Sequence, residues 1–365
     1  MGKTVWINLE ETQVDTSTLK KRLTDAGFDV RYRTVSADDT AGIIEQGRRA
    51  DAVVSTAERW NEATLPQVSG SLKLIMRYGA GIDNVDLSAA TDAGICVANV
   101  PGANSAAVAE VALLHILNLG RRFCQCVEKG RNNIWPVGIT GNELDGKTVG
   151  IVGFGNIARH LVRLLSGFRV DILAYDPIVR PDESQYPVKA ADSMEEVFSS
   201  SDIVSLHIPL NDSTREIVDQ RLFDRMKEGA YFINTCRGGV VKEEDLIRAL
   251  RRGRLRGAGL DVLACEPTGA ENPLLTMDNV FITSHMGAES AESGYRSQNI
   301  MADTIIRFFK GEMPDNIKNK EVKSCLLYTS RVWWEGLKSL SLQKEASGRR
   351  SSLKRLWRPE YWRQW

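Results

Sequence analysis

Several things this sequence lacks narrow what it can be. No apolar run reaches the length a membrane-spanning helix needs; the best stretch, 106–119, is interrupted by Glu110, His115 and Asn118. The first ten residues, MGKTVWINLE, enter a strand pattern without a basic-then-apolar leader, and Trp6 stands where N-myristoylation wants Ser or Thr. Of six cysteines only Cys124 and Cys126 lie close together, and no C-x-x-C pair occurs. No disulfide framework is therefore expected, and reduced thiols in a cytoplasmic setting are. Histidine is scarce, at four, and no Cys/His/Asp/Glu group has metal-ligand spacing, so no metal is expected. Excess charge is missing too, because 47 basic residues balance 47 acidic ones. Without a broad field, neither nucleic acid nor a membrane is expected as a partner.

What is present is most concentrated in 144–176, LDGKTVGIVGFGNIARHLVRLLSGFRVDILAYD. An apolar strand run leads into Gly153, Gly155 and Ala158, spaced G-x-G-x-x-A. A helical period follows, with Ile157, Leu161, Leu164 and Leu165 on one side, and a second strand ends on Asp176, 21 residues past Gly155. Each position has a task in a dinucleotide site. Gly153 permits the tight turn, Gly155 lets a pyrophosphate approach the backbone, and Ala158 keeps helix and strand close. The helix N-terminus offers N–H groups to phosphate. Asp176 accepts from an adenosine ribose and repels the extra phosphate of NADP, which makes NAD the expected cofactor.

At 365 residues, two domains are expected. Strand runs at 4–9, 29–35, 51–56, 72–77 and 95–100 alternate with helical stretches such as 17–26 and 85–93. This alternation predicts a parallel sheet with helices on both faces. A helix over 104–122, apolar nearly all round, reads as the buried connection between domains. The aperiodic segment 121–143, with Ile134, Trp135 and Val137, reads as an arm reaching a second subunit, so a homodimer is expected. Six further strands, 148–153, 170–176, 202–209, 230–236, 258–263 and 280–285, complete a dinucleotide-binding sheet. A last helix, 290–309, returns to the first domain. Residues 331–365 carry nine Arg or Lys against three Glu and five of the eight tryptophans. This stretch reads as an unpacked extension rather than as a binding surface.

Three candidates for chemistry follow consecutive strands of the second sheet, where open parallel sheets bind ligands. They are Arg237, a planar cation to grip a carboxylate; Glu266; and His285, an acid–base imidazole. Glu266 would orient the imidazole and favour its charged form. Of the other histidines, His115 reads as a satisfied core residue and His160 as a surface one. His207 suits either a cofactor-side or a purely structural place.

Seven motifs occur in order: RYGAGIDNVD, NVPGANSAAVAE, GKTVGIVGFGNIA, SLHIPLNDST, FINTCRGGVV, GAGLDVLACEP and ITSHMGA. Over about 5–319 they resemble the D-isomer-specific 2-hydroxyacid dehydrogenase family, and phosphoglycerate dehydrogenases most nearly. The resemblance implies an α/β protein of two doubly wound parallel-sheet domains. A Rossmann NAD domain, 102–287, would be inserted in a discontinuous flavodoxin-like substrate domain, 1–101 and 288–320, with an atypical basic tail at 321–365. It implies Arg237, Glu266 and His285 as the catalytic set. Backbone amides of Tyr78, Gly79 and Ala80 would bind the substrate carboxylate, with Arg77, Arg237 and His285 beside them. NAD contacts would fall at Gly153, Gly155, Asn156, Ile157, Asp176, His207, Pro209, Thr235, Cys236, Arg237, Asp261, His285 and Gly287. Departures are Ala158 for a third glycine, Cys236 for Ala or Ser, and Ser284 where Pro often precedes the histidine. The implied activity is NAD-dependent interconversion of a small D-2-hydroxy acid and its 2-oxo acid, 3-phosphoglycerate being one candidate. Alternatives are a glyoxylate or hydroxypyruvate reductase, or an NAD(H)-sensing corepressor-like binding protein of the same fold. A formate dehydrogenase is disfavoured, since that relative has Gln where this chain has Glu266.

Overall fold

The computed structural model describes residues 2–10, 15–136 and 138–322. The tail assigned to 321–365 therefore lies outside the described residues from 323 onward, as does Val137 of the arm.

Five strands come first: β1 (Thr4–Ile7), β2 (Asp29–Tyr32), β3 (Ala52–Ser55), β4 (Leu74–Arg77) and β5 (Cys96–Ala98). All pair in parallel, in the order β2-β1-β3-β4-β5. Parallel neighbours need crossover connections, and α1 (Ser17–Asp25), α2 (Thr40–Gly47), α3 (Leu65–Val68) and α4 (Leu87–Asp92) supply them. With helices covering the sheet, a strand such as β3, AVVS, is buried at every position. The order reverses at β1, which opens a crevice at the carboxyl ends of the strands.

Helix α5 (Ser105–Arg121) then leaves for the second sheet, packing on its strands through a run that includes Ala109, Ala112, Ile116 and Leu119. Next to it, the expected aperiodic arm is in part a helix, α6 (Phe123–Arg131). None of its residues is buried. Without a core-facing side it has no apolar period to detect.

The second sheet holds β6 (Thr148–Val152), β7 (Asp171–Tyr175), β8 (Lys189–Ala190), β9 (Ile203–Leu206), β10 (Ala230–Asn234), β11 (Leu255–Leu260) and β12 (Val280–Ile282). It is parallel throughout, in the order β12-β11-β10-β9-β6-β7-β8. The extra strand beyond the six expected is β8, two residues at the edge, too short to carry a pattern. Its helices are α7 (Asn156–Leu165), α8 (Met194–Ser200), α9 (Gln220–Arg225) and α10 (Glu243–Arg251). The buried face of α7 is Ala158, Leu161, Val162 and Leu165. Leu164, expected inside, faces outward at 36% exposure, because the true i, i+3, i+4, i+7 stripe starts at Ala158.

Finally α11 (Ala291–Phe309) turns back onto the first sheet. Ser290 caps it by accepting from the Ser293 amide, a contact of about 1 kcal/mol. Met301, Ala302, Ile305 and Phe308 join the core of Val5, Ile7 and Leu74, and Gln298 accepts from the Leu19 amide. The chain thus crosses between the sheets twice, at 99–104 and at 283–290. Cys124, Cys126, Cys236 and Cys265 are free thiols; Cys96 is disulfide-bonded, against the expectation of reduced thiols throughout.

Candidate active site

The glycine turn joins β6 to α7. Gly153 has φ +92, and a Cβ there would sit 2.4 Å from the His207 carbonyl oxygen. Only glycine fits. At Gly155 a Cβ would meet nothing within 4 Å, so the turn is open to a ligand just where α7 begins. Asp176, at the end of β7, accepts from the Phe154 amide of this turn at 2.8 Å and from the Ile178 and Val179 amides at 2.8 and 2.9 Å. A carboxylate has about four lone-pair sites, so it pins the turn and keeps one for a ribose hydroxyl.

The two sheets face each other across a cleft of about 1000 Å³. Its walls include Arg77 at the end of β4 and Tyr78, Gly79 and Ala80 of the loop after it, and Ile157, His207, Pro209, Thr235, Cys236, Arg237, Asp261, His285 and Gly287 from the second half. Gly153, Gly155, Asn156 and Asp176 stand outside this lining, at the β6–α7 turn and the end of β7. Glu266 also stands outside it, accepting from His285 Nδ1 at 2.7 Å and from the Leu263 amide at 3.0 Å. Burial tends to raise the Glu266 carboxyl, but the hydrogen bonds from His285 and Leu263 and the charges of His285 and Arg237 outweigh it, holding it below its ordinary value. His285 Nε2 has no partner among the described residues. The backbone of His285 is left-handed, at φ +55, a strain of about 1–3 kcal/mol for a residue with a Cβ.

Arg237 reaches across the cleft. Its Nε donates to Asp83 at 3.0 Å and its Nη1 to the Cys236 carbonyl at 2.7 Å. A Cβ on Gly81 would meet Nη2, so a side chain at 81 would push the guanidinium from this position. Burial opposes the Asp83 charge, yet Arg237 and Arg77 together lower its carboxyl below the usual range. Sequence reading missed Asp83 as a partner, although it lies in RYGAGIDNVD, because the pair joins positions 154 residues apart. Two of the three amides expected to bind carboxylate are engaged: Tyr78 donates to Ser55 O at 2.8 Å and Gly79 to Arg77 O at 2.9 Å. The Ala80 amide has no acceptor among the described residues. Arg77 donates to Asn84 at 3.1 Å and to the Tyr78 carbonyl at 2.6 Å.

His115 is a core residue bonded to Thr283, as expected, whereas His160 is half-buried rather than a surface residue. His207 is partly exposed, yet burial of its ring lowers it to about 4 and leaves it neutral. Burial pushes the Cys236 thiol up to about 11. The cleft fits a dinucleotide by its polar wall. Asn104 Oδ1, His207 Nδ1 and Thr235 Oγ1 are buried without a partner, and all three residues line it. Buried polar atoms without partners are costly, so these three suit a polar ligand. Among the described residues no group of three His, Cys, Asp or Glu side chains could hold a metal, and no helix is long and apolar enough to cross a membrane.

The family described as "D-isomer specific 2-hydroxyacid dehydrogenase, NAD binding domain" matches residues 113–287. A hydroxypyruvate reductase of Thermotoga maritima is 39% identical over 272 residues, 74% of this chain and 87% of the relative. A D-3-phosphoglycerate dehydrogenase of Methanocaldococcus jannaschii is 34% identical over 279 residues, 76% of this chain but 53% of the relative, so the chain spans about half its length. Among solved structures, an NAD-dependent formate dehydrogenase from Staphylococcus aureus in complex with NAD superposes with a TM-score of 0.77 at 31% identity, covering 86% of this chain and 98% of that one.

Proposed function

Since this chain belongs to the D-isomer specific 2-hydroxyacid dehydrogenase family and is an NAD-dependent oxidoreductase of small 2-hydroxy acids, we propose that Arg237, Glu266 and His285 carry the reaction. The observation that carries this reading is the 2.7 Å bond from His285 Nδ1 to Glu266, which leaves Nε2 at the cleft that Arg237 also enters. NAD would be held by the Gly153–Gly155 turn, Asp176 and the polar atoms of Asn104, His207 and Thr235, and when bound it supplies or takes up the hydride. The N–H groups left free, Arg237 Nη2 and the Ala80 amide, grip the substrate carboxylate. In reduction His285 Nε2–H gives its proton to the carbonyl oxygen, and in oxidation Nε2 takes it from the hydroxyl. Glu266 holds the ring and balances its charge while it is protonated.

Asp83 already balances Arg237, and Arg77 is bonded to Asn84 and a carbonyl. The 39% identity to a hydroxypyruvate reductase over 87% of its length supports hydroxypyruvate or glyoxylate as the 2-oxo acid. The Glu at 266 stands against the formate dehydrogenase chemistry. We take 1–101 with 288–320 as the substrate domain, 102–287 as the NAD domain, the arm at 121–143 as a homodimer contact, and the setting as cytoplasmic. The test is NADH depletion with a panel of 2-oxo acids that includes a phosphorylated one. Turnover of glyoxylate or hydroxypyruvate is expected, and no turnover of any 2-oxo acid would refute the reading.

A further inference from the structure

His285 keeps its left-handed backbone because its loop is held from below. The His285 amide donates to Asp261 O at 2.8 Å, and the next two amides, Met286 and Gly287, donate to the Asp261 carboxylate at 2.9 and 2.8 Å. Three successive amides of the loop thus end on one buried residue, 2% exposed. Asp261 is fixed in turn by the Thr283 hydroxyl, which donates to Oδ1 at 2.6 Å. A hydroxyl has one proton, and an ionised carboxylate can only accept. The remaining contact of Thr283 Oγ1, with His115 Nε2 at 3.1 Å, is therefore donated by the imidazole. That puts a proton on His115 Nε2, as in one of the two neutral tautomers. Burial, which lowers its pKa against the pull of Asp261, favours the same neutral ring. Space for the ring is reserved by Gly259 of β11, where a Cβ would lie 2.7 Å from that of His115.

We propose that Thr283 and His115 are positioning residues for His285, acting through Asp261 on the loop that carries it. A satisfied polar core would explain the bonds alone, but this chain of donors ends on the same carboxylate that accepts from the two amides following the proton carrier. The proposal rests on the reading of His285 as that carrier.

Thr283→Val keeps shape and removes the donor, while Thr283→Ser keeps the donor. Misplacing a catalytic group by an ångström can cost about 100-fold. Thr283→Val is thus expected to lower kcat for 2-oxo acid reduction by about 10–100-fold, with NADH affinity by fluorescence unchanged within about threefold. Thr283→Ser should recover most of it. His115→Leu should lose about 3–10-fold and His115→Gln, which can still donate, should recover. A Thr283→Val enzyme within about twofold of the parent, or Thr283→Ser no better than Thr283→Val, overturns the proposal. Should Thr283→Val fail to fold, the His115 pair decides by the same criterion. If the parent reduces no 2-oxo acid, the functional reading fails, and nitrogen NMR of histidine-labelled protein still tests the relay. A slowly exchanging Nε2–H on His115 is expected, and its absence overturns the assignment.

Discussion

Glu266 is where pH acts on the site. Its carboxyl lies below 4.5, so what the bond to His285 contributes is fully present above that value and lost as pH falls through the lowered one. Glu266→Gln keeps the shape without the charge, and a carboxylate beside an imidazole favours its protonated form. The mutant's reductive kcat/KM should therefore decline at lower pH than the parent's, and superimposable pH profiles would rule out an electrostatic role. His285→Ala should reduce turnover by about 10²–10⁴-fold while NADH still binds, as read by fluorescence titration. Arg237→Ala should raise KM for the 2-oxo acid, and Arg237→Lys should recover only part, because an ammonium lacks the planar fork. That these three side chains come near one another was legible because each follows a strand of one sheet. Asp83 was not, since its partner lies in the other half of the molecule, and the engaged amides of Tyr78 and Gly79 depend on local turns no residue type announces.

At the level of elements, the β6–α7 turn was read almost whole, because Gly153 is demanded by backbone geometry and Asp176 closes the second strand with a charge, while Gly155 leaves the turn open. Sequence showed less clearly that Asp176 also ties the turn through the Phe154 amide. NADH should bind better than NADPH by about tenfold to a hundredfold, the effect of about 1–3 kcal/mol of unfavourable charge. Asp176→Ala should narrow that gap mainly by weakening NADH, since three amides lose their acceptor. Parallel titrations of both cofactors check this, and equal affinities in the parent would contradict it. Helix α6 and strand β8 escaped notice for a shared reason: one buries nothing, the other is two residues long, and burial patterns are what sequence periodicity records.

Across the whole molecule, the arm exposes Phe123 at 59%, Ile134 at 43% and Trp135 at 75%. Apolar side chains this open suit a second copy of the chain, and light scattering at micromolar concentration should give a dimer. A stable monomer would rule it out. The two-sheet plan was legible because strand and helix patterns alternate in both halves. The double crossing carries a consequence for kinetics. One crossing brings Asn104 to the cleft, and the other contains His285, Met286 and Gly287. The stretch that joins the two sheets therefore also carries His285. Because the amides of His285, Met286 and Gly287 are tied to Asp261 of the second sheet, a swing of the first half would be taken up past Gly287 and leave the imidazole in place. Added glycerol or sucrose would depress kcat in proportion to viscosity wherever that swing limits the cycle.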